Sequence, residues 1–325
     1  MEKCTRDEKS MKLDGQSQRF LNLMTAGAPG RITDYHASDI RKVDEERHPI
    51  DLEARKLVAS VDDREIDGPN GGVPIRIYHP RDVKDPPTVV YFHGGGFCIS
   101  SVDVYDHFCC LLSKESTAIV VSVDYRLAPE HKFPQGLHDA WAAYRWVLGN
   151  REALGTSSTK IAVAGDSAGG GLVASVTLMA KAAGAPQPDF QVLIYPHVAG
   201  DLDAPSRDQF AEGYFVTREK TSYYMNLYVT RPEELRDPLV TPLLAEDLSG
   251  LPDALIITAE FDPLRDDGAH YAQRLKEAGV DVIYTEYGKT LHAFLKRPGQ
   301  IEKGVVATAQ IGATLRSVLT RGWDA

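Results

Sequence analysis

Gly165-Asp166-Ser167-Ala168-Gly169-Gly170 is the stretch from which the fold of this chain is read. Ahead of it, residues 160–165 read KIAVAG, a short apolar run suited to a buried strand, and after it residues 171–182, GLVASVTLMAKA, are helix-forming. A serine at that junction belongs to a sharp strand-to-helix turn, where flanking glycines are required because side chains would meet neighbouring backbone. The turn lifts Oγ of Ser167 out at the end of a sheet and aims the next amide, that of Ala168, at the same spot. A bare Gly-x-Ser-x-Gly is also compatible with a turn that does no chemistry. A base, an acid and an oxyanion site must therefore come from the rest of the chain.

Working outward, residues 64–66 and 73–78 flank a glycine-rich turn and read as a β-hairpin. Residues 88–92 (TVVYF), 118–123 (AIVVSV), 190–195 (FQVLIY), 254–259 (ALIITA) and 280–286 (VDVIYTE) read as further strands. Helices are expected at 134–148, with Leu137, Ala140, Trp141, Tyr144 and Leu148 on one face, at 264–278 before Gly279, and at 300–319. Strands alternating with helices of that length imply βαβ units, hence an α/β fold with a mostly parallel sheet and helices on both faces. Two segments break the rhythm. Residues 198–236 carry an aromatic helix around Tyr223, Tyr224, Leu227 and Tyr228, and residues 18–58 show two weak helical stripes, Phe20-Leu21-Met24 and Leu52-Ala54-Leu57-Val58, separated by Gly27, Pro29 and Gly30. Residues 1–15 are expected to be disordered, and the two N-terminal stripes to be helices lying over the rest of the molecule.

The 325 residues are 43% hydrophobic and 25% charged, as expected of a globular protein able to bury a large core. A formal net charge of -10 argues against nucleic acid and anionic membrane surfaces as main partners. The longest apolar runs, such as 118–123, are too short to span a bilayer. Cys4, Cys98, Cys109 and Cys110 form no Cys-x-x-Cys pair and suggest neither a disulfide framework nor a zinc site. With a polar N-terminus lacking the apolar stretch of a secretory signal, the expected location is cytoplasmic, and no metal or cofactor is expected.

In open parallel sheets, ligands gather at the carboxyl ends of the strands. The chemically suggestive residues fall there: His93-Gly94-Gly95-Gly96 after one strand, Ser167 after another, Glu260 and Asp262 after a third, and His292 beyond the last. A serine hydroxyl needs a base, and the base needs a carboxylate to hold its tautomer, in the chain order Ser, Asp or Glu, His. Of His197, His270 and His292, the second falls inside an expected helix, and His292 sits in a loop from which it can reach another strand end. Asp262, just before Pro263, is the expected acid and Glu260 its competitor; Asp266 and Asp267 fit the first turn of the following helix. The amides of Gly94, Gly95 and Ala168 are the expected oxyanion donors. Cys98 reads as a small buried hydrophobe. The tyrosines at 223–228 read as cap core or as pocket lining.

These residues resemble the hormone-sensitive-lipase-like family of α/β-hydrolase esterases. The likeness rests on His93-Gly94-Gly95-Gly96-Phe97, on Asp124-Tyr125-Arg126-Leu127-Ala128-Pro129-Glu130-His131 with Phe133-Pro134, on Gly165 to Gly170, on Asp262-Pro263-Leu264-Arg265-Asp266-Asp267-Gly268 and on His292-Ala293-Phe294. Residues 259–264 and 290–295 are similar to bacterial acetyl esterases of that family. The likeness covers about residues 60 to 320; Ala293 and Gln135 depart from the commoner Gly and Ala, and the first 55 residues match poorly. It implies a Ser167-His292-Asp262 triad, oxyanion amides from Gly94, Gly95 and Ala168, no cofactor, a possible homodimer, and a helical cap made of helices at 16–60 and an insertion at about 198–236 in a catalytic domain spanning 61–325. The implied activity is hydrolysis of short-acyl esters, acetyl to about hexanoyl, through an acyl-enzyme. A lactonase, amidase or lipase on the same residues, and a non-catalytic small-molecule receptor, are the alternatives.

Overall fold

The computed structural model describes residues 12–26 and 30–321. Cys4, the polar stretch through residue 11 and the break at 27–29 lie outside the described residues. In chain order the elements are α1 (Gly15–Thr25), α2 (Ala37–Arg47), α3 (Leu52–Arg55), β1 (Ser60–Ile66), β2 (Val73–His79), β3 (Thr88–Phe92), α4 (Asp106–Ser116), β4 (Ile119–Val123) and α5 (Gln135–Gly149). They continue with β5 (Ile161–Asp166), α6 (Ala168–Ala182), β6 (Phe190–Ile194), α7 (Pro205–Gln209), α8 (Arg218–Tyr228), β7 (Ala254–Phe261), α9 (Arg265–Glu277), β8 (Val282–Leu291) and α10 (Glu302–Arg321).

All eight strands form one sheet in the order β1-β2-β4-β3-β5-β6-β7-β8. The β1–β2 and β2–β4 pairs are antiparallel, and every pair from β4 to β8 is parallel. The β3, β4, β5 and β6 strands are buried along their whole length, which is why they read as continuous apolar runs rather than alternating ones. Successive side chains still point to opposite faces. Val90 and Phe92 join Leu137, Ala140, Leu172 and Val173 of α5 and α6 in one core, whereas Val89 and Tyr91 join Phe108, Leu112 and Ile311 of α4 and α10 in the other.

Three departures from the sequence reading have local causes. The helix α4 has no sequence signature at its start, since Tyr105 stands at the N-cap without a side-chain hydrogen bond. Strand β8 runs to Leu291, so His292 follows the strand end directly rather than after a loop. Of the second N-terminal stripe, Ala54 and Val58 are buried, but Leu52 is exposed because the four-residue α3 buries only Ala54. Phe20, Leu21 and Met24 of the first stripe are all buried.

The end of β5 is where the backbone is most constrained. Ser167 has φ 54° and ψ -118°, outside the regions that L-residues favour, and its N–H donates to Ile194 O at 2.8 Å while Gly171 and His197 amides donate to its carbonyl. A Cβ on Gly165 would lie 2.5 Å from the Gly169 carbonyl carbon, and one on Gly169 would collide with the carbonyl oxygen of Phe92. Strand and helix therefore pack closely enough to hold the strained serine in place.

Candidate active site

The carboxyl ends of four parallel strands carry the site residues. Ser167 follows β5, Asp262 follows β7, His292 follows β8, and Gly94 to Gly96 lie just beyond β3. His292 Nε2 is 2.9 Å from Ser167 Oγ, and His292 Nδ1 is 2.6 Å from Asp262 Oδ2. Asp262 Oδ1 also accepts the Leu264 N–H at 2.8 Å, so both carboxylate oxygens are held. A carboxylate only accepts, which assigns the imidazole proton to Nδ1 and leaves Nε2 free to accept from the serine hydroxyl. Asp262 is fully buried and His292 nearly so, and the Tyr195 ring lies 4.6 Å from the imidazole, so the relay stands out of bulk water.

The rival residues lie elsewhere. His197 is buried, with Nε2 3.0 Å from Gly200 O, and burial pushes it down to about 3. His270 is exposed on α9. Glu260 accepts the Lys289 amide at 2.7 Å. Asp266 and Asp267 occupy the first turn of α9, where Asp266 accepts the Ser206 N–H and Asp267 is buried against Arg207 at 2.7 Å.

The oxyanion side needs one correction. The Gly94 N–H does not face the serine: it donates to Asp166 Oδ1 at 2.7 Å. That carboxylate also accepts from Tyr91 OH and Tyr105 OH, both at 2.7 Å. Gly95 and Gly96 line the space beside Ser167, and no hydrogen bond engages either amide among the described residues. Gly95 has φ 126°, a backbone conformation that residues with a side chain rarely adopt. Ala168 is the first residue of α6, so its N–H has no intrahelical acceptor.

Above these groups lies a cavity of about 840 Å³, within the usual range for small-molecule sites. Ser167 and His292 are part of its wall, together with Leu21 and Met24 of α1, Ile40 of α2, and Tyr224 of α8. The tyrosines of α8 divide their work: Tyr228 is buried and stacks on Phe97 at 4.0 Å, Tyr224 faces the cavity, and Tyr223 OH donates to Tyr35 O. Cys98 is buried, and burial pushes its thiol up to about 12, so it stays protonated and unreactive. Among the described residues no group of three or more His, Cys, Asp and Glu is placed to hold a metal ion, and no helix is long and apolar enough to cross a membrane.

Comparison with known proteins gives the family. Residues 89–296 match the family model described as the alpha/beta hydrolase fold. An arylesterase of Saccharolobus solfataricus is 36% identical over 316 residues, which is 95% of this chain and 99% of the relative. The chain belongs to the hormone-sensitive-lipase-like family of α/β-hydrolase esterases. This esterase is also 41% identical to the carboxylesterase NlhH of Mycobacterium tuberculosis over 76% of this chain and 79% of that one. Among solved structures, the hyperthermophilic esterase of Pyrobaculum calidifontis superimposes on this esterase with a TM-score of 0.88 at 40% identity, over 95% of this chain and 99% of that one.

Two groups that matter were missed in the sequence. Asp166 was quoted there only as part of the turn, and Gly96 only as part of the glycine run. The signal for Gly96 was its place in that run; for Asp166 there was none beyond adjacency to Ser167.

Proposed function

We propose that this esterase hydrolyses short-acyl carboxylic esters, acetyl to about hexanoyl, with Ser167 as nucleophile, His292 as general base and acid, and Asp262 as the carboxylate that orients it. The observation that carries the reading is the hydrogen-bonded chain from Ser167 Oγ through His292 to Asp262 beneath a largely apolar cavity. Oγ attacks the ester carbonyl as its proton passes to His292 Nε2. The tetrahedral oxyanion is received by the amides of Gly95, Gly96 and Ala168, and Nε2 then gives the proton to the departing alcohol. Water, deprotonated by the same nitrogen, releases the acid from Ser167.

The helices α1, α2 and α8, which line the cavity, act as the substrate-selecting cap. Tyr224 supports a short acyl limit: a Cβ on Gly96 would lie 2.5 Å from its ring, so this side chain occupies space next to the oxyanion loop. Three buried free thiols, Cys98, Cys109 and Cys110, support a cytoplasmic location, and a homodimer is the proposed assembly. The test is a series of 4-nitrophenyl esters from acetate to palmitate. Rates peaking between two and six carbons are expected, and a peak at palmitate overturns the short-acyl reading.

A further inference from the structure

Lys220 is an unusual lining residue for an apolar ester site. It lies in the first turn of α8, where the helix dipole disfavours a cation, so helix stability gives no reason for it. Its Nζ donates to the Phe215 carbonyl at 2.6 Å and lies 5.0 Å from the centre of the Phe215 ring. An ammonium group has three donors, and among the described residues no carboxylate comes within ion-pair distance of this one. Burial lowers its pKa, as expected of a cation that has lost water without gaining a counter-ion.

The other charges of the cavity are engaged or, for Asp39, exposed to solvent. Asp44 is held by Lys296 at 2.7 Å and by the Ser100 hydroxyl at 2.8 Å. Asp166 is held by Tyr91, Tyr105 and Gly94. Arg47 donates to the carbonyls of Met24 and Ala26, and Asp39 stands exposed on α2. Arg47 likewise has no carboxylate partner among the described residues but is tied to two carbonyls, whereas the Lys220 ammonium donates to one carbonyl and keeps two of its three donors for a ligand.

Residues three and four apart share a helix face, so Lys220 stands one turn along α8 from Tyr224, whose ring a Cβ on Gly96 of the oxyanion loop would meet, and both line the cavity that holds Ser167. We propose that Lys220 receives an anionic group at the far end of the substrate, so that the preferred esters are monoesters of short dicarboxylic acids, or esters bearing a carboxylate at similar reach from the scissile carbonyl. Without such a partner, moving a carboxylate from water into an apolar cavity would weigh heavily against these substrates. This inference rests on the esterase reading above.

Monomethyl and dimethyl adipate separate the two, with proton release followed by pH-stat. The wild type should process the monoester with a kcat/KM at least equal to that for the diester, an advantage that shrinks with added salt. Lys220→Met should lower the monoester-to-diester ratio of kcat/KM at least about tenfold through KM, and Lys220→Arg should restore part of it. A wild type that prefers the diester by more than about tenfold overturns the inference without any variant, and so does a ratio that Lys220→Met leaves unchanged. Should Lys220→Met fail to fold, Lys220→Gln replaces it. A wild type inert on the diester and on 4-nitrophenyl butyrate would instead strike the esterase reading itself.

Discussion

Replacing Asp262 by Asn preserves shape and removes only a charge, yet the hydrogen bonds around it force a specific failure. The Leu264 N–H, 2.8 Å from Oδ1, requires an acceptor, so the Asn carbonyl must face it. The Asn NH₂ then points at His292 Nδ1, which lies 2.6 Å from the other carboxylate oxygen. To accept that donor, His292 must move its proton to Nε2, the atom 2.9 Å from Ser167 Oγ. A protonated Nε2 cannot take the serine proton. Loss of the correct tautomer costs about ten-thousand-fold in kcat, or about 5.5 kcal/mol of barrier, with little change in KM. Glu260→Gln is the control: its partner is the Lys289 amide, an acceptor role that Gln retains, and only a few-fold loss is expected. Initial rates on 4-nitrophenyl acetate, with thermal midpoints to confirm folding, decide the matter. Equal losses in the two variants, or more than about a tenth of the activity surviving in Asp262→Asn, would refute the tautomer reasoning.

Three further outcomes follow from the same contacts. Asp166→Asn presents an NH₂ to one of three donors that now share a carboxylate; we expect about 1.5–3 kcal/mol lower stability in urea and a reduced kcat, because the Gly94 amide anchors the loop carrying Gly95 and Gly96. Gly95→Ala would drive a methyl group into the Ile99 carbonyl at a positive φ, and kcat should fall at least about a hundredfold, in keeping with a misplaced oxyanion donor. Stability should also decline in acid. Burial pushes His93 down to about 4 and His197 to about 3, so the unfolded chain binds protons below its ordinary value of 6.5 that the folded one refuses. Asp267, raised to about 6 by burial despite Arg207, works in the opposite direction with a smaller shift. The urea midpoint should therefore drop between about pH 6.5 and pH 4, and a midpoint that holds or rises would contradict the burial of two neutral histidines.

Much of this was legible because parallel-sheet strands advertise themselves. The buried runs at β3 to β7 are continuous and apolar, and chemistry at their carboxyl ends can be placed by position alone, which is how Ser167, Asp262 and His292 were singled out. What the sequence hid depends on backbone direction or on charges remote along the chain. The engagement of the Gly94 amide away from Ser167 depends on a carboxylate 72 residues along the chain. Lys296 finds Asp44 across 252 residues, and Lys220 stands out only once its surroundings are known. No period of 2 or 3.6 encodes such contacts. Helix α4 was missed for a different reason: an uncapped start leaves no local boundary to read.

The central claim is that the ester carbon is attacked by Ser167 Oγ. Its most direct test is wild type against Ser167→Ala on 4-nitrophenyl acetate and butyrate, with quenched samples of the wild type examined by intact mass and peptide mapping. Hydrolysis by the wild type, an acyl adduct confined to Ser167, and loss of at least about a thousandfold in the variant are the predicted results. Turnover that survives the substitution, or an adduct elsewhere, would contradict the account.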